Sequence, residues 1–562
     1  LSFSIVFSCA SLQAQDLGGV HDPENFPGPS YSPYAGRDFP DRPLWGDTHL
    51  HTTLSFDAGA FGNRLGPEEA YQFARGDEIT STGGYKVRLS RPLDWLVVSD
   101  HSDDMGLFTR IFESHPDILA DPEARRIHDM IQEGGQTAVA ATVELIDAFA
   151  AGREISPALS VDPGSEAFTA TWERIVKAAE SYNDPGQFTA LIGFEWTSQV
   201  GKGDNLHRVV IFRDGAEIAL RHEPYTTQAP FGSPDPMDLW AWMDNVETTS
   251  RGRVLTLAHN GNLSNGIMFP VDRQYTGRKL DERYVKERIK WEPLYEVTQI
   301  KGDGEAHPYL SADDEFADYE TWAKGNLNLS VPKTNDMLQY EYAREALKNG
   351  LKLEQKFGTN PYKFGMVGST DSHTSLATAQ EDNFFGKHSG SEPSEMRMEH
   401  PMAKVGDAEY EGWSTAASGL AAIYATDNSR AAIFDAMRRK ETYATTGSRM
   451  TVRFFGGWEF DATDASNRLP ASVGYRKGVP MGGDLRSAPN GQAPSVLVAA
   501  RKDPMSGNLD RIQIVKGWLD SRGNTHEKVY DVTWSDQRQP GEDGKLPAVG
   551  NTVDVANATW TN

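Results

Sequence analysis

The chain has one cysteine, Cys9, among 562 residues. An intramolecular disulfide is therefore excluded, as are a Cys-based zinc site and a cysteine nucleophile in the folded body. Any metal must be held by His, Asp and Glu, a ligand set that suits zinc, manganese or iron. Positive charge is also scarce. Lys plus Arg number 55 against 80 Asp plus Glu, a formal net charge of −25. So negative a surface repels nucleic-acid phosphates and anionic membranes, and neither is an expected partner. No apolar run reaches the roughly 18 residues of a membrane-spanning helix. Apolar material is otherwise sufficient: 38% hydrophobic and 10% aromatic residues can build a sizeable core. The length points to two domains.

Residues 1–10 form a short apolar run, and Ser11-Leu12-Gln13-Ala14 offers a cleavage point after Ala14. We read residues 1–14 as a signal peptide without its charged start, hence an exported protein, periplasmic or extracellular. Val6-Phe7-Ser8-Cys9 is a poor lipoprotein box because Phe is bulky, so a lipid anchor is the lesser expectation. Residues 15–43, rich in Pro, Gly, Asp and Tyr, read as an extended arm.

Chemistry begins at Leu44-Trp45-Gly46-Asp47-Thr48-His49-Leu50-His51, followed closely by Asp57. Residues i and i+2 of a strand share a face, so His49 and His51 can aim two imidazoles at one cation. Alone, the pair reads equally well as two polar residues at a strand end. The pattern then recurs. Trp95-Leu96-Val97-Val98 leads to Ser99-Asp100-His101, and Leu191-Ile192-Gly193-Phe194 to Glu195. His207 sits beside the run Val209-Val210-Ile211-Phe212. Val254-Leu255-Thr256-Leu257-Ala258 leads to His259, and Met366-Val367-Gly368-Ser369 to Asp371-Ser372-His373. Short buried strands with a ligand-type residue at or near the end predict a parallel βα barrel with chemistry on its C-terminal rim. A mostly helical stretch, about 103–185, reads as an insertion. From residue 451 onward, short strands separated by Gly, Pro and Asn predict a small all-β domain over 451–562, truncated at its end.

Together, the His-x-His pair, the Ser-Asp-His, the Gly-x-Glu, Ala258-His259-Asn260-Gly261-Asn262 and Gly368-Ser369-Thr370-Asp371-Ser372-His373 resemble the PHP (polymerase and histidinol phosphatase) superfamily of metal-dependent phosphoesterases. Leu44-Trp45-Gly46-Asp47-Thr48-His49, Asn205-Leu206-His207-Arg208 and Tyr443-Ala444-Thr445-Thr446-Gly447 bring the chain closer to the domain-of-unknown-function 3604 family within it. The resemblance implies a distorted (β/α)7 barrel over 44–450, with helical insertions and up to three divalent cations. It implies that His49, His51, Glu195 and Asp371 hold the first ion. Glu195 would bridge to a second, shared with His259 and His207. Asp57, His101 and His373 would hold the third, with Asp57 standing where many relatives have His. Catalysis would fall to Glu195, His259, Asp371 and His101.

The donor chemistry is consistent with that set. One carboxylate can bridge two cations, and a water shared by two cations loses a proton near neutral pH, giving a hydroxide nucleophile. The expected function is an exported metal-dependent hydrolase, a phosphoesterase acting on a small anionic ester with Mn, Zn or Fe. Hydrolysis of an amide, lactone or sulfate ester, and a non-catalytic metal- or carbohydrate-binding surface protein, stay open on sequence alone. Lys301, Glu305, His307 and Arg449 are candidates for substrate contact, although solvated charge is the plainer reading of Lys301 and Arg449. Asp100 reads as a support for His101 or a backbone acceptor. His115, His128, His222, His388, His400 and His526 have no ligand context and read as surface.

Overall fold

The computed structural model of the chain describes residues 39–562, apart from 151–152, 154, 417–418, 487, 551, 555, 558 and 562. The expected signal peptide, Cys9 and residues 15–38 of the extended arm lie outside the described residues. Ten strands form one curled, half-barrel sheet: β1 (Leu44–Leu50), β2 (Trp95–Val98), β3 (Thr189–Trp196), β4 (Arg208–Phe212), β5 (Val254–Ala258), β6 (Leu294–Gln299), β7 (Gly302–Asp303), β8 (Gly365–Gly368), β9 (Leu420–Ile423) and β10 (Thr442–Thr445). The spatial order is β7-β6-β5-β4-β3-β2-β1-β9-β10, with β8 paired to β6 off this path.

The expected (β/α)7 barrel is corrected by the directions of these strands. β1, β2 and β3 pair in parallel, as do β5, β6 and β8. β4 runs antiparallel to both β3 and β5, and β9 runs antiparallel to β1 and β10. The connection from β3 to β4 contains only a two-residue ribbon, Gln199–Val200 with Asp204–Asn205, and no helix. A parallel return needs a crossover of a dozen or more residues, so this short link brings β4 back in the opposite direction. The sheet is mixed α/β rather than a repeated βα unit.

Strand burial follows from side-chain alternation. Leu96, Val98, Ile192, Phe194 and Val210 belong to one core, packed with helices such as Glu166–Tyr182. Their neighbours Trp95, Val97, Leu191, Val209 and Ile211 belong to a second core, which Ile433, Phe434 and Met437 of the helix Arg430–Arg438 join. Period-two alternation thus gives both faces an apolar set, as expected for strands buried on both sides. Each fully buried Val, Leu, Ile or Phe contributes about 1.5–3 kcal/mol. Gly46 is demanded by close approach: a Cβ there would lie 2.2 Å from the Trp95 indole.

The stretch 103–185 holds helices Leu107–Phe112, Pro116–Ala120, Pro122–Glu133, Gly135–Ala150 and Glu166–Tyr182. Beyond β10 come a three-stranded sheet, β11 (Thr451–Gly457), β12 (Gly478–Pro480) and β13 (Ser495–Arg501), and a ribbon of β14 (Arg511–Leu519) and β15 (Thr525–Trp534). Residues 40–562 form one compact unit. Asp503 anchors the three-stranded sheet to the large one. It accepts two bonds from the Arg91 guanidinium, at 2.6 and 2.8 Å, and one from the Arg449 backbone N–H at 2.7 Å. Among the described residues no helix is long and apolar enough to cross a membrane.

Candidate metal centre

Strand direction decides which residues meet. The C-terminal ends of β1, β2, β3, β5, β6 and β8 share one rim because these strands all point the same way. β1 delivers His49 and His51 there, and β3 delivers Glu195. His101, His259, Asp371 and His373 follow β2, β5 and β8. β4 is reversed, so its beginning, not its end, lies on this rim, and His207 immediately precedes it. These eight expected ligands therefore converge, and Asp57, on the short helix Phe56–Ala60 after β1, joins them.

Glu195, with its side chain 1% exposed, is central. Its Oε2 lies 3.3 Å from His49 Nε2, 3.2 Å from His51 Nε2 and 3.2 Å from His101 Nδ1. Its Oε1 lies 2.8 Å from His207 Nδ1 and 2.9 Å from His259 Nε2. Asp371 Oδ1 is 3.5 Å from His49 Nε2 and 3.3 Å from His51 Nε2. Asp57 closes the other side, with Oδ1 3.0 Å from His101 Nε2 and Oδ2 2.8 Å from His373 Nε2. Three groups bring their donor atoms within 4.8 Å of one another: His51, Asp57, His101 and His373; His49, Glu195 and His259; and His49, His51 and Asp371.

The donor set fits divalent cations. Glu195 Oε1, Asp57 Oδ1, His207 Nε2 and both ring nitrogens of His259 are buried without a hydrogen-bond partner among the described residues. Orphaned buried polar atoms are costly unless something else satisfies them. Here several lie close together yet are misaligned for bonding to each other, as ligands aimed at a common ion are. Most of the imidazoles are also in the neutral form that ligation needs. Burial lowers His51 and His207 to about 3 and His259 to about 4. His49 and His101 differ: burial opposes their charge, but Glu296 and then Glu195 raise His49 to about 9, and Asp57 and then Glu195 raise His101. Burial works to raise Glu195 and Asp57, and the surrounding histidines overcome it, holding both carboxyls well below the usual range.

Supporting residues fix the ligands. Glu296, on β6, lies 3.1 Å from His49 Nδ1 and leaves Nε2 for the cluster. Ser55 Oγ lies 2.8 Å from His51 Nδ1. Asp100 accepts from the Thr52 hydroxyl at 2.7 Å and from its backbone N–H, bracing the chain just after His51. Asp47 accepts from the His49 backbone N–H at 2.9 Å and from the Thr370 hydroxyl at 2.5 Å, tying β1 to the turn that carries Asp371. Asp371 itself sits at φ +50°, a conformation non-glycine residues seldom adopt.

Two buried lysines complete the wall. Lys301 pairs with Asp371 Oδ2. Lys387 Nζ lies 2.8 Å from Asp371 Oδ1, 2.6 Å from its carbonyl and 2.8 Å from His373 Nδ1. Burial lowers both amines, Lys301 well below its ordinary value and Lys387 to about 8. Lys387 and Glu296 lie outside every sequence motif. A lone lysine in a loop and a glutamate in an apolar strand carry no spacing signal, although Glu296 in the buried run Tyr295-Glu296-Val297 was a charge needing a partner. His388, read as surface, instead meets the His373 ring edge-on at 5.2 Å.

The other three candidates for substrate contact do not touch the ligand side chains. Glu305 pairs with Arg344 at 2.8 Å and lines a separate cavity of about 230 Å³ with Asp303, Tyr319 and Thr446. His307 accepts from the Tyr309 backbone N–H at 3.1 Å. Arg449 donates to the carbonyls of Arg91 and Pro92 at 2.7 and 2.8 Å.

No curated protein matches the chain. Among solved structures it is similar to a two-domain protein from Bacteroides vulgatus ATCC 8482 containing a predicted PHP-like metal-dependent phosphoesterase. The identity is 9%, the alignment covers 88% of this chain and 97% of that one, and the TM-score is 0.29. The model of the DUF3604 family, described as "Protein of unknown function", matches residues 38–562, and the chain belongs to that family.

Proposed function

We propose that the chain is a metal-dependent hydrolase of phosphoesters, with its centre in residues 44–450. The observation that carries this reading is the crowding of ligand atoms around Glu195, whose Oε1 has two imidazole nitrogens within 2.9 Å and no hydrogen bond among the described residues. Bound divalent cations would supply Lewis acidity to an ester oxygen and lower the pKa of a water molecule. The protein's own share is placement. Glu195 presents one oxygen to the His49 and His51 side and the other to the His207 and His259 side, which suits a carboxylate shared by two ions. Glu296 sets the His49 tautomer, with the proton on Nδ1 and the lone pair on Nε2. Asp57, 30% exposed at its side chain against 10% or less for the other ligands, marks the open side through which substrate enters. The apolar run at residues 1–10 motivates a location outside the cytoplasm.

The test is metal analysis of the purified protein, followed by a panel of phosphate, sulfate, amide and lactone substrates with added manganese, zinc or iron. The expected result is bound metal and metal-dependent release of phosphate. Hydrolysis of amides or lactones alone would sink the phosphoester reading. A protein free of metal after loading would sink the whole proposal.

A further inference from the structure

We propose that Lys301 is the side chain that takes an anionic oxygen of the substrate, and that Lys387 is a positioning residue holding the turn at 371–373. This rests on the hydrolase reading above and assigns recognition of the anionic ester to one side chain, with phosphate preferred over sulfate.

The two lysines spend their hydrogens differently. Lys387 commits its amine to one short stretch of chain: the carbonyl and carboxylate of Asp371, at 2.6 and 2.8 Å, beside His373 Nδ1 at 2.8 Å. The backbone reinforces the tie, because the His373 N–H donates to the Lys387 carbonyl at 3.0 Å. This segment carries two ligand side chains and a residue at φ +50°, so it needs a restraint from outside its own conformational preference. Lys301 has one carboxylate partner among the described residues, Asp371, and otherwise meets the Lys387 amine. A lysine amine carries more donors than that contact uses. Asp371 in turn lies 3.5 and 3.3 Å from the Nε2 atoms of His49 and His51, which sets the amine beside the ligand cluster, and a tenth of its side chain stays exposed. Lys301 thus offers a donor inside the centre.

Such a donor selects for charge. An amide or lactone is neutral when it binds and gains little from it. A phosphoryl group already carries negative oxygens, which accept charge-assisted hydrogen bonds from the amine.

The experiment uses the full chain loaded with manganese. Metal content is measured by mass spectrometry, and inorganic phosphate binding by calorimetry, for the natural protein, Lys301→Met and Lys387→Met. Lys301→Met is expected to keep the metal and bind phosphate at least about tenfold more weakly, the loss of one charge-assisted hydrogen bond. Lys387→Met is expected to lose metal. Lys387→Arg, which keeps a donor, is expected to regain part of it, separating positioning from misfolding. Unchanged phosphate affinity in Lys301→Met, or loss of its metal, overturns the assignment. So does a metal-loaded natural protein that binds no phosphate, or full metal content in Lys387→Met. Sulfate titrated in parallel distinguishes the two oxyanions: binding as tight as phosphate overturns the phosphate preference. A natural protein that takes up no metal fails the hydrolase reading itself, and the metal analysis reads that separately.

Discussion

At the scale of single residues, the proposed metal centre depends on carboxylates doing what amides cannot. Glu195→Gln keeps the shape but replaces one oxygen with a hydrogen-bond donor, which cannot face a cation. We expect metal content to fall and activity to drop at least about 100-fold, since a bridging ligand matters more than a supporting one. Retained activity with full metal content would rule out the bridging role. Glu296 acts one step back. Glu296→Gln should weaken metal binding by about 10–100-fold without removing a ligand, because the His49 ring loses the partner that orients it. A competitive metal-indicator titration reads this directly. Asp57 is the most exposed of the candidate ligands, a hard oxygen donor between two imidazoles. Asp57→His should retain a filled centre but shift preference from manganese toward zinc. Unchanged preference with only a lower melting temperature would make Asp57 a structural residue.

At the scale of elements, the sequence was informative about which residues gather and silent about strand direction. An apolar strand followed by a ligand type is visible as a pattern, and the strands bearing His49, Glu195 and His259 conform to it. A ligand that precedes a reversed strand looks much the same when written out. His207 was legible as a ligand type, while the reversal of β4 that brings it to the rim depends on the short link before it. That is why a (β/α)7 barrel was expected and a mixed, curled sheet was found. Lys387 and His388 were illegible for another reason: the fold alone brings their loop against His373. The link between sheets gives an element-scale prediction. Burial raises Asp503, but its bonds from Arg91 and from the backbone outweigh that and lower it to about 2. Its folded value lies below the ordinary value of about 3.9. Its contribution is therefore complete above about pH 4 and is lost as pH falls toward 2. Asp503→Asn should cost about 1–3 kcal/mol near neutral pH, measured by denaturant unfolding. It should cost less in acid. An equal cost at both pH values would show that the charge contributes nothing.

At the scale of the whole molecule, the centre binds together strands that are far apart in sequence, from His49 to His373. A cation held only by the folded chain stabilises it by mass action, about 4 kcal/mol per site at a thousandfold excess over Kd. Removing metal with a chelator should therefore lower the unfolding midpoint by about 5 °C or more. The net charge of −25 favours cation uptake at low salt. The size of the shift should depend on pH, and its sign follows from His49. In the metal-free chain its ring, raised to about 9, is protonated at neutral pH. Its interactions with Glu296 and Glu195 stabilise the metal-free fold fully below the unfolded value of about 6.5, and that stability is lost as pH rises through about 9. Ligation needs the neutral ring, so a proton must leave, and metal affinity should rise by up to about tenfold per pH unit toward 9. These are one linkage seen from two sides: the gap between metal-loaded and chelated midpoints should widen from about pH 6 to 8.5. His101, raised against burial by Asp57 and then Glu195, adds slope of the same sign, whereas His51, His207 and His259, already neutral at about 3, 3 and 4, add none in this window. Scanning calorimetry with and without chelator across that range measures the gap. A gap that stays constant would mean that no proton leaves His49 or His101 on metal uptake, and that neither raised ring is a ligand.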